Sequence, residues 1–216
     1  IINPIIGKEM YPIFAYRFAG LDPENGRPIG VFNGQESKDY NKIYNSTKVQ
    51  DLISMGSMQP VYFGSFRNSF SYRTWELSFN ISYQLGHKFR RQSFNAFQFY
   101  DAESGHKDYG LRWQKAGDEL HTSVPSFVYP VDNNESQFYK YSTALIEPAG
   151  QIKWRDIQIG YSVPSFNWKG IKSLRFYGYV NNVATIWRAN KWGIDPEFGQ
   201  NYPDPMSFSV GMNCKF

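Results

Sequence analysis

The residues from Met206 to Phe216 alternate without a break. Met206, Phe208, Val210, Met212, Cys214 and Phe216 fall on one side, and Ser207, Ser209, Gly211, Asn213 and Lys215 on the other. A period of two marks a β-strand with one dry face and one wet face. Its length matches the ~9–11 residues that a tilted strand needs to cross a bilayer. Such a run, closing on a phenylalanine, fits an outer-membrane β-barrel or a half-buried strand of a soluble sandwich. The segment alone leaves both open.

Other runs repeat the pattern. Trp75, Leu77, Phe79, Ile81, Tyr83 and Leu85 alternate with polar residues across 74–86. Tyr62, Phe66, Phe70 and Tyr72 share a face across 60–72, opposite Ser65, Arg67, Ser69 and Ser71. A residue or two near Arg73 separates the two runs, which predicts a tight hairpin. A second hairpin is expected from 151–163 and 173–187, with Pro164 ending its first strand. On that first strand Ile157, Ile159, Tyr161 and Val163 share a face with Lys153 and Arg155, so the strand is expected to leave an apolar environment near Arg155. With a further strand at 9–18, the chain reads as six strands, 9–18, 60–72, 74–86, 151–163, 173–187 and 205–216. Their connections alternate long and short: 19–60, 87–150 and 188–205 are long and polar. That alternation is what an outer-membrane barrel shows, short turns at one end and long loops at the other. Tyr72, Trp75, Phe166 and Trp168 fall beside the short turns, and Trp154 and Trp187 near the outer ends, as aromatic girdles would.

Composition agrees with either reading. Aromatics make up 19% of the 216 residues, while only 41% are hydrophobic. Alternating strands with girdles and wet loops fit this balance, and so does a secreted glycan-binding sandwich. No apolar run is long enough for a membrane helix, which says nothing about strands. The net charge of +4 is spread along the chain and leaves no nucleic-acid footprint. The single Cys214 excludes an internal disulfide and a multi-cysteine metal site. Six strands cannot close a membrane barrel, whose smallest members have about eight. The chain, which opens at Ile1, is therefore expected to be a piece of something larger, or not a membrane protein at all.

Specific segments carry a resemblance. YRFAGLDPENGRPIG (Tyr16 to Gly30) resembles the "aGLdpetGdP" segment of SusC/RagA-like TonB-dependent outer-membrane transporters. Met55 to Lys88 is similar to their Gly- and aromatic-rich hairpin. RWQKAGDE (Arg112 to Glu119) resembles their "RW..pGD" loop, with Ala116 in place of the usual proline. IKWRDIQIGYSVP (Ile152 to Pro164), SLRFYGYVNNVATIW (Ser173 to Trp187), GIDPEFG (Gly193 to Gly199) and YPDPMSFSVGMNCKF (Tyr202 to Phe216) follow the order of the family's closing segments. The chain departs from the family at Val183-Ala184-Thr185 and at Ala149-Gly150. The resemblance implies an all-β fold: an antiparallel transmembrane wall of about six C-terminal strands from a plugged barrel of roughly 22 strands. It also implies a Bacteroidetes-type outer-membrane location and import of oligosaccharides or peptides driven through TonB. A SusD-like surface lipoprotein, the plug and remaining strands of the same transporter, and the barrel-assembly machinery would be its partners.

Site residues follow from these two layers. The polar sides of the strands offer Glu76, Asn80, Gln84, Arg175, Tyr177, Tyr179 and Asn181 as lumen-facing groups. The long loops offer Tyr109, Trp113, Phe127, Tyr129, Tyr139 and Tyr141, which would contact substrate or lid, or fold the loop on itself. Phe216 is the expected assembly signal. No catalytic, cofactor or metal site is expected. His87, His106 and His121 lack ligand spacing and read as solvated loop residues. Asp195, Glu197 and Asp204 sit among turn formers and read as a structural loop.

Overall fold

A computed structural model describes residues 6–7, 9–102, 105–164, 170–199 and 201–216. The strands and helices in chain order are β1 (Pro12–Ala15), β2 (Phe18–Leu21), β3 (Pro28–Phe32), β4 (Gln35–Ser37), α1 (Tyr40–Ser46), β5 (Ile53–Ser57), β6 (Tyr62–Tyr72), β7 (Trp75–Leu85), β8 (Lys88–Arg90), α2 (Ala96–Ala102), α3 (Asn133–Lys140), β9 (Ile146–Pro148), β10 (Gln151–Ser162), β11 (Ser173–Arg188) and β12 (Ser207–Lys215). They divide between two compact units, a sheet unit (Gln59–His87 and Pro148–Phe216) and a loop unit (Ile1–Met58 and Lys88–Glu147).

The sheet unit is one antiparallel sheet in the order β12-β11-β10-β7-β6. Its register lines the apolar residues into rows. Tyr72, Trp75, Tyr161, Phe176 and Met212 form one row. Phe70, Leu77, Ile159, Gly178 and Val210 form the next, followed by Asn68, Phe79, Ile157, Val180 and Phe208. The five long strands occupy the segments expected from their period of two. Tyr72 pairs Trp75, and Arg73 turns the chain with φ 54°. The anticipated girdle residues Phe166 and Trp168 lie outside the described residues.

Register also explains Gly211 on β12. A Cβ there would lie 2.2 Å from the Tyr177 ring on the neighbouring strand, so only glycine lets that ring lie flat across the backbone.

The run 9–18 does not join this sheet. Its Pro12–Ala15 part forms β1, which pairs with β5 in the loop unit, and Phe18 opens β2, which pairs with β3. Ile13 and Ala15 are buried there, and the Tyr16 and Phe18 rings pack against an aromatic core. The wall therefore has five described strands where six were expected.

The long polar connections hold more structure than wet loops would. Segments 19–58 and 88–147 fold together into the loop unit, around a core of Tyr40 and Ile43 on α1 and Phe138 on α3. The Tyr40 and Phe138 rings stack with centroids 5.7 Å apart, and the Tyr40 hydroxyl donates to the Pro28 carbonyl at 2.8 Å. Both helices start on a side-chain cap. Asp39 accepts from the Lys42 N–H, and Asp132 from those of Asn134 and Glu135. Arg27 reaches from the β2–β3 turn to bind Glu135 at 2.7 Å while its guanidinium lies 5.1 Å from the Tyr40 ring centre.

Candidate functional site

The sheet has two chemically different faces. On the apolar face the edge strands leave Phe66 61%, Phe208 71% and Val210 88% exposed. On the opposite face all seven anticipated polar residues come together. Glu76 and Tyr177 flank Gly160, Asn80 and Asn181 flank Asp156, and Tyr179 pairs Gln158. Gln84 pairs Gln151, whose Nε2 lies 3.4 Å from its Oε1. Arg175 is ion-paired to Glu76, and Arg67 holds Asp156 through two bonds of 3.1 and 2.8 Å. The Arg67–Asp156 pair joins strands 89 residues apart, so nothing local in the sequence announces it.

Lys153 and Arg155 overturn one expectation. They were to share the apolar face with Ile157 and to mark where the strand leaves it. A register shift between Trp154 and Asp156 instead places Arg155 in a β-bulge. One extra residue reverses the alternation. Trp154 then joins the apolar face, pairing Ile81 and meeting the Phe79 ring edge-on, and Ile152 pairs Tyr83. Lys153 turns to the polar face, and the Arg155 Nε donates to the Ser82 Oγ at 2.7 Å.

At this end of the polar face the loop after β11 meets both cations. Lys153 binds Asp195 at 2.6 Å and Glu197 at 2.7 Å. Arg155 grips the same Glu197 carboxylate with two nitrogens, at 3.1 and 2.5 Å. The Lys153 and Asp195 side chains are buried, and that of Glu197 keeps 22% of its surface exposed. Burial opposes the Glu197 charge, but Arg155 and Lys153 outweigh it and hold the carboxyl below its ordinary value of 4.5. The loop's backbone is fixed separately. Asn190 exchanges bonds with both backbone groups of Ile194, and the Asp195 carboxylate accepts from the Glu197 N–H at 3.1 Å. Asp195 and Glu197 thus belong to a four-membered ionic clasp that the spacing of the loop's carboxylates did not disclose.

His87 is likewise not the solvated residue expected. It is 7% exposed, and its Nδ1 has no hydrogen-bond partner among the described residues. Burial pushes its pKa below 6.5, against a smaller upward pull from Glu197. In the loop unit the His106 Nδ1 accepts from the Asp108 N–H, and His121 is exposed. Among the described residues no group of three or more His, Cys, Asp or Glu is placed to hold a metal.

The six loop aromatics mostly fold the loop unit on itself. Tyr139 is buried, its hydroxyl 3.3 Å from Ser93 and its pKa pushed up to about 12 by desolvation. Tyr109 and Phe127 close an aromatic cluster with Phe94 and Phe99. Tyr141 lies under the Arg90 guanidinium, 4.9 Å from its ring centre. Tyr129 is the most open of the six, 70% exposed and facing the Tyr100 ring.

Trp113 joins two of the motif segments. Its ring covers Gly26 so closely that a Cβ there would sit 2.4 Å away, and Gly26 holds φ at 68°. Its indole N–H donates to Glu119, which also accepts from the Gly117 N–H at 2.8 Å. Asp118 accepts from the N–H groups of Gln114 and Lys115. The carboxylates of RWQKAGDE therefore satisfy their own backbone, a structural role. Phe216 follows β12 with 79% of its surface exposed.

No family model matches the chain, and no curated protein matches it. Solved structures do. The RagAB peptide importer in its open-open state aligns with a TM-score of 0.65 at 20% identity, over 94% of this chain and 22% of that one. The same importer in its closed-closed state aligns with a TM-score of 0.63 at 20% identity, over 94% and 23%. The likeness is one of fold, and the chain spans less than a quarter of the length of the proteins it matches.

Proposed function

We propose that this chain is the C-terminal part of a SusC/RagA-like, TonB-dependent outer-membrane transporter, and that it acts by transport without catalysis. The observation that carries this reading is the five-stranded sheet whose apolar rows stay uncovered while its opposite face is polar and ion-paired. From Trp75 to Tyr83 the apolar face runs about 26 Å along β7, or roughly 20 Å of membrane depth at a tilt near 40°. Aromatic rings mark both ends, Tyr72, Trp75 and Tyr161 at one and Tyr83 and Trp187 at the other. Lipid is the natural cover for such a face. A soluble sandwich needs a second sheet against it, and the described strands of this unit form a single sheet.

The fold likeness to the RagAB peptide importer supports the same reading. In it, β6, β7, β10, β11 and β12 supply wall strands of a larger plugged barrel, and the polypeptide of the long connections is extracellular. There it would meet a SusD-like lipoprotein and the cargo, an oligosaccharide or a peptide. The test is uptake by cells carrying the intact gene. Deleting the gene, or TonB, should abolish growth on the one class of peptide or glycan that the protein imports. Unchanged growth on every such nutrient would remove the proposal.

A further inference from the structure

The clasp at the end of the polar face holds more chemistry than a loop anchor needs. Arg155 presents two nitrogens to both oxygens of Glu197, the fork geometry with which arginine recognises any carboxylate. Lys153 contributes a third contact to the same group. A cavity of about 190 Å³ opens beside these cations, lined by Lys153, Arg155, Thr185, Asp195, Phe198 and Asp204. We infer that Lys153 and Arg155 form a recognition site for a single ligand carboxylate, such as the free C-terminus of a peptide, and that Glu197 occupies it as an internal latch.

Two features of the site argue for this. The first is charge. Two cations face two carboxylates, and Lys153 keeps Asp195 at 2.6 Å when Glu197 leaves, so one negative charge restores neutrality. Asp204 on the cavity wall opposes a second. The second is mobility of the latch alone. Asn190 and the Asp195 carboxylate fix the loop's backbone, so the Glu197 side chain can swing out without unfolding the loop.

A tethered carboxylate competes at a high effective concentration, so a ligand must bring contacts beyond its own carboxylate to displace it. The latch thus sets a threshold that rejects weak carboxylates and passes ligands that also fill the cavity.

This inference rests on the transporter reading, and one experiment separates the two. The intact transporter is titrated calorimetrically with short peptides bearing a free C-terminus and with the same peptides amidated. Wild type should prefer the free acid. Glu197→Gln, which keeps shape and removes charge, should tighten free-acid binding at least about fivefold, within the ~5- to 150-fold range of intramolecular coupling. Amide binding should not change, and Arg155→Gln should erase the preference for the acid. Equal binding of acid and amide, unaltered by either substitution, would overturn the latch and leave the transporter reading standing. Failure of both peptide forms to bind, with uptake intact for another nutrient class, would overturn the latch alone. Failure of binding and of all uptake would overturn both.

Discussion

The two units solve the problem of apolar surface in opposite ways. The loop unit turns its large side chains inward, with Tyr40, Ile43 and Phe138 each at most 2% exposed. The sheet unit turns Phe66, Phe70, Phe208 and Val210 outward along open rows. Both are aromatic-rich pieces of one polar chain, so composition does not separate them. Period does. Alternation over nine to sixteen residues makes a surface with one dry face. The loop unit's strands are three to five residues long and its helices seven or eight, too short to face a second phase and able only to close on one another.

The contrast predicts that the same kind of change will fail differently in the two units. Leu77, Phe79 and Ile81 replaced together by lysine should block insertion, because each lysine near the middle of a membrane costs roughly 2–4 kcal/mol. The protein should vanish from the outer-membrane fraction and lose its heat-modifiable mobility on gels. Phe138→Ala should cost about 3–5 kcal/mol in the loop unit through the cavity it leaves. The protein should still reach the membrane, while protease cuts within 19–58 and 88–147 become frequent.

A smaller effect is expected at the clasp. Glu197 has a lowered pKa, so its contribution is complete above the ordinary value of 4.5 and is lost as pH falls through the lowered one. His87, also lowered, stabilises its buried neutral form above 6.5 and loses that contribution as pH falls through its lowered value. Acidification therefore weakens this end of the sheet through both groups. Hydrogen-exchange protection factors in segment 188–199, taken against the intrinsic rate at each pH, should fall below pH 6.5, and His87→Gln should remove the earlier part of the fall.

Much of the sheet was legible because a period of two survives in a single sequence. The limits of β6, β7, β10, β11 and β12 fall within about two residues of those read from alternation, and the seven polar residues share a face. The bulge at Arg155 was not legible, since one inserted residue flips the phase without altering composition. Alternation alone therefore puts Lys153 and Arg155 on the wrong face and cannot show the clasp they form. The loop unit was hidden for another reason. Its core joins Tyr40 and Ile43 to Phe138 across nearly a hundred residues, and its short elements carry no period long enough to read. The run 9–18 shows how this misleads: its Pro12–Ala15 part pairs with β5 instead of the wall, and Tyr16 and Phe18 pack against that core.

The apolar rows of the sheet are expected to face lipid, and the opposite rows water. This is tested most directly by placing single cysteines along β7 of the intact protein, in native outer membrane. Cys214 is first replaced by alanine, because it lies on the same apolar face. Positions 77, 79 and 81 should react with a lipid-soluble reagent and resist a charged maleimide, while 76, 78 and 80 should resist the lipid-soluble reagent. Reactivity without that two-residue alternation, or full labelling of both sets by the charged reagent, would contradict the account.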